Sequence, residues 1–273
     1  MKLIWTSDVH LNFLYEQTYK RNEFYQQLKD AEGDAILITG DIAESHNIEK
    51  YLEEMNRIVR KQIYFVAGNH DYYGSSIRTM RARLKKIGYA HYLPKSSYVK
   101  LNKHTALVGQ DGWGDCRNGD YEGSQRGFRD RFIMSDWIHI KELNKAYHKS
   151  SDDLLITLQR IADKDAERIT KSVLHCLRDK NVTRIIIATH VPPFEEACLY
   201  AGRKSTPFGL PFFSSQILGV AILPIVEANP NIDFLWFSGH THSSVTVEKR
   251  PNLIVLVAQS EYYRPQIADI IEC

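Results

Sequence analysis

Leu3-Ile4-Trp5-Thr6-Ser7-Asp8-Val9-His10 sets an unbroken apolar run against an acid and a histidine two residues apart. A run without alternation suits a strand buried on both faces. The same cadence returns four times. Ala35-Ile36-Leu37-Ile38 precedes Gly40-Asp41, Ile63-Tyr64-Phe65-Val66 precedes Gly68-Asn69-His70-Asp71, Ile185-Ile186-Ile187-Ala188 precedes Thr189-His190, and Phe234-Leu235-Trp236-Phe237 precedes Gly239-His240-Thr241-His242. Between the first three runs lie amphipathic stretches at 19–31 and 48–61, the second carrying Leu52, Met55, Ile58 and Val59 at helical spacing behind Ser45 and Asn47 as candidate caps. The opening therefore reads β-α-β-α-β. Leu154, Leu158, Ile161, Ile169 and Val173 mark a long helix over about 152–179 that feeds the run at 185–188. Breaks at Asn102-Lys103 and at Arg250-Pro251-Asn252 read as hairpins within 98–108 and 245–257, so an antiparallel half is expected beside a parallel one. Residues 111–131 and 191–215 fit neither period and read as long functional loops.

Composition narrows the class. The 273 residues are 43% hydrophobic and 25% charged, which excludes disorder, collagen and coiled coil. Thirty-five Lys and Arg against thirty-three Asp and Glu leave a net charge of +2, too little to draw the chain to nucleic acid or an anionic membrane. Cys116, Cys176, Cys198 and Cys273 form no C-x-x-C pair and read as reduced thiols. Asp8 stands where a signal peptide needs apolar sequence, and no window reaches a membrane span, so a cytoplasmic protein in one domain over 1–273 is expected.

In open α/β sheets ligands bind beyond the carboxyl ends of the strands, so five polar clusters at five strand ends should meet in one crevice. A single histidine after a strand is an ordinary turn or capping residue, but five clusters in the same position are not. Asp8 with His10, and His240 with His242, are two apart and in extended backbone project to one side, each pair able to chelate. Imidazole together with carboxylate and amide oxygen suits a divalent transition metal. Asp8, His10, Asp41, Asn69, His190, His240 and His242 exceed what one ion takes, and the set fits two ions about 3.5 to 4 Å apart that share a carboxylate.

These blocks resemble the calcineurin-like metallophosphoesterases, whose pattern is D-x-H, G-D, G-N-H-[DE], H and G-H-x-H. All five stand here in order: Asp8-Val9-His10, Gly40-Asp41, Gly68-Asn69-His70-Asp71, His190 and Gly239-His240-Thr241-His242. The resemblance implies a four-layer α/β/β/α sandwich with mixed parallel and antiparallel sheets. It also implies one ion on Asp8, His10, Asp41 and His242 and a second on Asp41, Asn69, His190 and His240. His70 would be the catalytic imidazole, a general acid, and Asp41 the bridge. A hydroxide shared by two cations would be the nucleophile, since coordination lowers the pKa of water to roughly 7. The activity implied is hydrolysis of a small phosphorylated substrate, a phosphomonoester or phosphodiester. Manganese leads among the candidate ions, with iron, zinc and nickel behind it. Asp71 reads either as a carboxylate that orients the His70 region or as a turn residue.

Within that superfamily Gly40-Asp41-Ile42-Ala43-Glu44-Ser45 departs from the G-D-x-V-D-R-G of the Ser/Thr protein phosphatases, and His70 from the arginine of the lipid A pyrophosphohydrolases. A nuclease of the same superfamily is the enzymatic alternative, though no basic groove is evident; a metal-stabilised interaction protein is the other. Loops at about 110–150 and 191–215 would shape the substrate mouth. Trp113, Tyr200, Phe208, Phe212 and Phe213 there either stack a ring or close on themselves. Arg117, Arg126, Arg129, Arg131, Arg203 and Lys204 bind substrate phosphate or pair with neighbours such as Asp115, Asp120, Glu122 and Asp130. Oligomeric state is not legible.

Overall fold

Every apolar run becomes a strand in the computed structural model, which describes residues 1–129 and 134–273. In chain order the strands are β1 (Lys2–Thr6), β2 (Ala35–Thr39), β3 (Gln62–Val66), β4 (His91–Tyr92), β5 (Val99–Lys100), β6 (Thr105–Gly109), β7 (Arg184–Ala188), β8 (Leu199–Tyr200), β9 (Arg203–Lys204), β10 (Asp233–Ser238), β11 (Val245–Arg250), β12 (Leu253–Val257) and β13 (Asp269–Glu272). The helices are α1 (Thr18–Asp30), α2 (Ile48–Val59), α3 (Ile77–Leu84), α4 (Tyr121–Arg129), α5 (Ser135–His139), α6 (Lys141–Tyr147), α7 (Ser151–Cys176), α8 (Leu210–Phe213) and α9 (Gln216–Ala228).

Among the described residues the strands form a sheet in the order β13-β1-β2-β3-β4, a second in the order β11-β12-β10-β7-β6-β5, and a β8-β9 ribbon. The five runs thus divide between two sheets, three in the first and two in the second. Parallel pairing fills the centre of both, β1-β2-β3 in one and β12-β10-β7-β6 in the other. The two expected hairpins are present at the two edges of the second sheet, and β13 adds an antiparallel edge to the first. Antiparallel pairing is therefore an edge feature of both sheets, not one half of the molecule. A hairpin needs only a short turn, whereas each central parallel pair needs a crossover, so the hairpins accumulate at the margins.

Side-chain alternation builds the layers. Leu3, Trp5, Ala35, Leu37 and Val66 of the first sheet meet Leu107, Ile186, Ala188 and Phe237 of the second in one buried cluster. The opposite faces carry Ile4, Ile36, Ile38 and Phe65 against Phe24, Leu52 and Met80 of α1, α2 and α3. On the other side Ile185, Ile187 and Trp236 lie against Ile169, Val173, Leu218 and Ile222 of α7 and α9. The result is α/β/β/α, with each central strand apolar on both faces. Helix α7 links the two outer clusters, because Leu154, Leu158 and Ile161 join the first and Ala166, Ile169 and Val173 the second.

Residues 111–131 are not wholly irregular, since α4 occupies their second half, and the 191–215 stretch holds the β8-β9 ribbon and α8. Gly123 and Gly127 weaken the helical signal of α4. Among the described residues no helix is long and apolar enough to cross a membrane.

Candidate metal centre and active site

Each motif starts where a strand ends, at the same edge of both sheets. There the backbone leaves the extended region. Asp8 (φ 50°), His10 (40°), Asp41 (51°), His240 (71°) and His242 (54°) are all left-handed. The extended geometry expected for the i, i+2 pairs is therefore wrong: each chain turns sharply at the acid or histidine, at a cost on the order of 1–3 kcal/mol per residue. Surrounding structure fixes these turns. The amides of Asp8 and His10 donate to the carbonyls of Gly40 and Asp41 at 3.0 Å each, and that of Gly239 donates to the His190 carbonyl at 2.9 Å. Gly239 is required by contact, because a Cβ there would lie 2.1 Å from Asp8 Oδ2 and 2.0 Å from Ser7 Oγ.

Two clusters result. In the first, one ligand atom from each of Asp8, His10, Asp41 and His242 lies within 4.8 Å of the others. His242 Nε2 is 3.3 Å from Asp8 Oδ1, and His10 Nε2 is 3.7 Å from Asp41 Oδ2. In the second, Asn69 Oδ1 lies 3.0 Å from His190 Nε2 and 3.1 Å from His240 Nδ1, which are 3.2 Å apart. His190 Nε2 also lies 3.4 Å from Asp41 Oδ1. Asp41 thus turns one oxygen to each cluster. The pair His240 and His242 is divided between the clusters, so it does not chelate one ion as a unit.

Backbone carbonyls set the tautomers of the second cluster. His190 Nδ1 lies 2.8 Å from the Thr39 carbonyl and His240 Nε2 lies 3.2 Å from the Phe212 carbonyl, so those nitrogens are the donors. The other nitrogens, Nε2 of His190 and Nδ1 of His240, stand beside the Asn69 oxygen, where each offers a lone pair once a cation displaces any proton it carries. In the first cluster both ring nitrogens of His10 are buried without a hydrogen-bond partner. Burying polar atoms unpaired costs about 1–3 kcal/mol each; a neutral imidazole has one lone-pair nitrogen, and a cation facing it would remove that atom's share of the cost. The donor set fits divalent metals.

Burial opposes ionisation of Asp41, but the facing His190, His70 and His10 hold its carboxyl well below the usual range. Asp8 is also lowered, burial being outweighed by its contact with His242 and the charge of His190. Burial pushes His10 down to about 3 and, with the charge of His190, His240 down to about 4. Burial works against His190 too, yet Asp41 beside it pushes it up to about 10.

His70 lies outside both clusters. Its amide donates to Asp41 Oδ1 at 2.9 Å, its Nε2 sits 4.0 Å from Asp41 Oδ2, and its ring stacks on Tyr73 at 4.4 Å between centroids. Asp71 points the other way. One of its oxygens accepts the amides of Ile42 and Ala43 at 2.9 Å each and the other that of Gly68 at 2.8 Å, so this buried carboxylate ties the loop after Asp41 to the loop before Asn69.

A cavity of about 910 Å³ opens over Asp41, Asn69, His70, His240 and His242. Of the aromatics expected there, Tyr200 and Phe213 line it; Trp113 is buried away from it. Arg203 and Lys204 line it as well, the latter 3.6 Å from Glu195. Arg117 is paired with Asp115 and Asp163 and Arg126 with Glu122. Arg131 and Asp130 lie outside the described residues, as does the Arg129 side chain. Sequence reasoning missed Tyr73, Asp136 and Tyr262, which also line the cavity; Tyr262 sets its ring 4.7 Å from His10 and 4.9 Å from His242. No spacing in the chain marks them.

The geometry is matched by similarity to known proteins. The calcineurin-like phosphoesterase family matches residues 1–244, which include all five motifs. No curated protein matches the chain. The fold is similar to that of a phosphopantetheinyl hydrolase from Mycobacterium tuberculosis, with a TM-score of 0.65 at 13% identity over 96% of this chain and 90% of that one. It is also similar to a dimetal phosphatase from Danio rerio, with a TM-score of 0.52 at 14% identity over 95% and 87%. A Thermus thermophilus protein, TT1561, gives 0.51 at 10% identity over 94% and 88%. Identities this low speak to the fold. With the family matched from β1 through β10 and over every motif, the chain belongs to the calcineurin-like phosphoesterases and is a metal-dependent phosphoesterase.

Proposed function

We propose that the protein hydrolyses a small phosphorylated substrate at a dinuclear centre, with one ion on Asp8, His10, Asp41 and His242 and the other on Asp41, Asn69, His190 and His240. The observation that carries this reading is Asp41, whose two oxygens face the two clusters, 3.7 Å from His10 Nε2 and 3.4 Å from His190 Nε2. Histidine, carboxylate and amide donors together favour manganese, with iron, zinc or nickel also suited. Two divalent ions held there would supply an acidified water as nucleophile and would neutralise charge on the phosphate.

The protein's own groups supply the rest. The cavity would admit the ester over the two clusters, and Asn69, which lines it, would contact the phosphate. In-line displacement builds charge on the leaving oxygen, which then needs a proton. His70 faces the same cavity without belonging to either cluster; the Asp41 contact to its amide holds its backbone, and its imidazole stacks on the Tyr73 ring. It delivers that proton as a general acid. The test is turnover of an aryl phosphate and a bis-aryl phosphodiester by chelator-treated protein to which Mn²⁺ is returned. Activity that rises as two ions bind supports the proposal; no turnover of either ester at full occupancy overturns it.

A further inference from the structure

Asn69 is the one neutral, non-imidazole group in the two clusters, and an amide can face a cation with either end. Its orientation here is fixed from behind. Asn69 Nδ2 donates to Asp136 Oδ1 at 2.8 Å and to the Tyr73 hydroxyl at 3.3 Å, while the Tyr73 hydroxyl donates to the same Asp136 oxygen at 2.6 Å. A carboxylate can only accept, so the nitrogen end must face Asp136 and the carbonyl end must face His190 and His240. Burial and the Asp136 charge push the Tyr73 phenol up, which keeps its proton available for that bond. Tyr73 also stacks on His70 and lies 5.2 Å, centroid to centroid, from His139 in α5.

Asp136 is 67 positions from Asn69 and enters on α5, within the 110–150 stretch expected to form a substrate mouth. Helices α5 and α6 are anchored to the segment after the His70 motif. The Gly74 amide donates to the His139 carbonyl at 2.9 Å, the Lys141 amide to the Ser75 carbonyl at 3.1 Å, and the Ile77 amide to Glu142 Oε2 at 2.9 Å. The brace is therefore held on a fixed element at both ends.

We infer that Asp136, acting with Tyr73, is a positioning residue that locks the Asn69 amide with its oxygen toward the second cluster and thereby sets the affinity of that cluster for its ion. This rests on the dinuclear reading above. Partners of this kind behind a ligand are worth about 10–100-fold in metal affinity. The measurement is calorimetric titration of MnCl₂ into chelator-treated protein, comparing the parent with Asp136→Ala, Asp136→Asn and Tyr73→Phe.

In Asp136→Ala the event belonging to the second cluster, named the second event whatever the order in which the ions bind, should weaken about 10–100-fold while the other stays as in the parent. Asp136→Asn keeps an acceptor oxygen and should recover most of the loss. Tyr73→Phe keeps the ring on His70, removes the longer contact to Asn69, and should weaken the second event several-fold. A parent that binds two ions beside an Asp136→Ala protein with two unchanged affinities overturns the inference; equal weakening of both events overturns it too, since it would show a general structural role. If Asp136→Ala does not fold, Asp136→Asn and Tyr73→Phe decide, and unchanged second affinity in Tyr73→Phe together with loss in Asp136→Asn to the same degree for both ions counts against it. A parent that binds fewer than two ions refutes the dinuclear reading itself.

Discussion

Asp71→Asn tests whether the motif loops are organised by a buried carboxylate or merely contain one. Asp71 is fully buried and accepts three amides, two on one oxygen and one on the other. An asparagine keeps one acceptor. It will place that oxygen against Ile42 and Ala43, because the opposite rotamer sets its NH₂ against two donors instead of one. The Gly68 amide then faces a donor and loses its partner inside the protein, at about 1–3 kcal/mol. In a chain of this size about 1 kcal/mol moves Tm by roughly 2–4 °C, so the metal-free variant should melt about 2–12 °C below the parent.

Gly68 precedes Asn69, and Ile42 follows Asp41, so the lost bond also loosens the two loops that meet at the second cluster. A ligand that binds only the folded protein stabilises it by RT ln(1 + [L]/Kd). The rise in Tm on adding MnCl₂ should accordingly be smaller in the variant. Thermal unfolding with and without Mn²⁺ at one fixed concentration separates the outcomes. A lower metal-free Tm with an undiminished rise would make Asp71 a turn residue with no part in the site, and an unchanged metal-free Tm would refute the hydrogen-bond reasoning. Asp71→Ala orphans three amides at once, on the order of 3–9 kcal/mol against a typical total of 5–15 kcal/mol. It should express poorly or not fold.

Asp41→Asn should weaken both ions by more than the about 10–100-fold typical of outer partners, because a neutral amide cannot supply the charge that holds two cations close; full occupancy by elemental analysis would rule out the bridge. His70→Asn should keep both ions, lose about 10² to 10⁴-fold in kcat/KM on alkyl esters, and stay within roughly tenfold on aryl esters whose leaving groups need no proton. Equal losses across a leaving-group series would assign His70 to positioning. Gly239→Ala drives a Cβ to within 2.1 Å of Asp8 Oδ2 and should weaken the first ion at least about tenfold in Mn²⁺ titration. Parent-like affinity there would mean that the loop relaxes without moving Asp8.

The strands were legible because β1, β2, β7 and β10 are apolar on both faces, one toward the opposing sheet and one toward helices, so their runs are nearly continuous. β13 carries no such signal: Asp269, Ile270 and Glu272 are exposed, and among the described residues its one strand neighbour is β1. Helix α9 was invisible to a search for amphipathic period, since it is apolar almost throughout and holds Pro224 in its interior. The residues that form the two clusters were legible by type and by their place after strands, but not by backbone conformation. Nothing in Asp8-Val9-His10 announces two left-handed residues; that conformation is imposed by Gly40, Asp41 and Gly239 arriving from elsewhere. Tyr73 and Asp136 were not legible at all, because a bond between residues 73 and 136 leaves no periodic trace in either segment.

What the neighbours contribute follows from comparing the two clusters. His190 and His240 each commit one nitrogen to a backbone carbonyl, at Thr39 and Phe212, and Asn69 commits its amide nitrogen to Asp136. Three lone pairs are thereby aimed at one point by groups that never touch an ion, and the carbonyls belong to segments that the fold already fixes: Thr39 ends β2 and Phe212 lies in α8. The first cluster is held differently. His10 has no hydrogen bond on either nitrogen and keeps its place by stacking on Phe13 at 5.4 Å and by the Tyr262 ring at 4.7 Å, while Asp8 accepts the His240 amide on both oxygens at 3.0 and 3.1 Å. Hydrogen bonds set direction and ring packing sets only position. The second cluster is therefore pre-oriented by its partners, and the first would gain the last of its order from a bound cation.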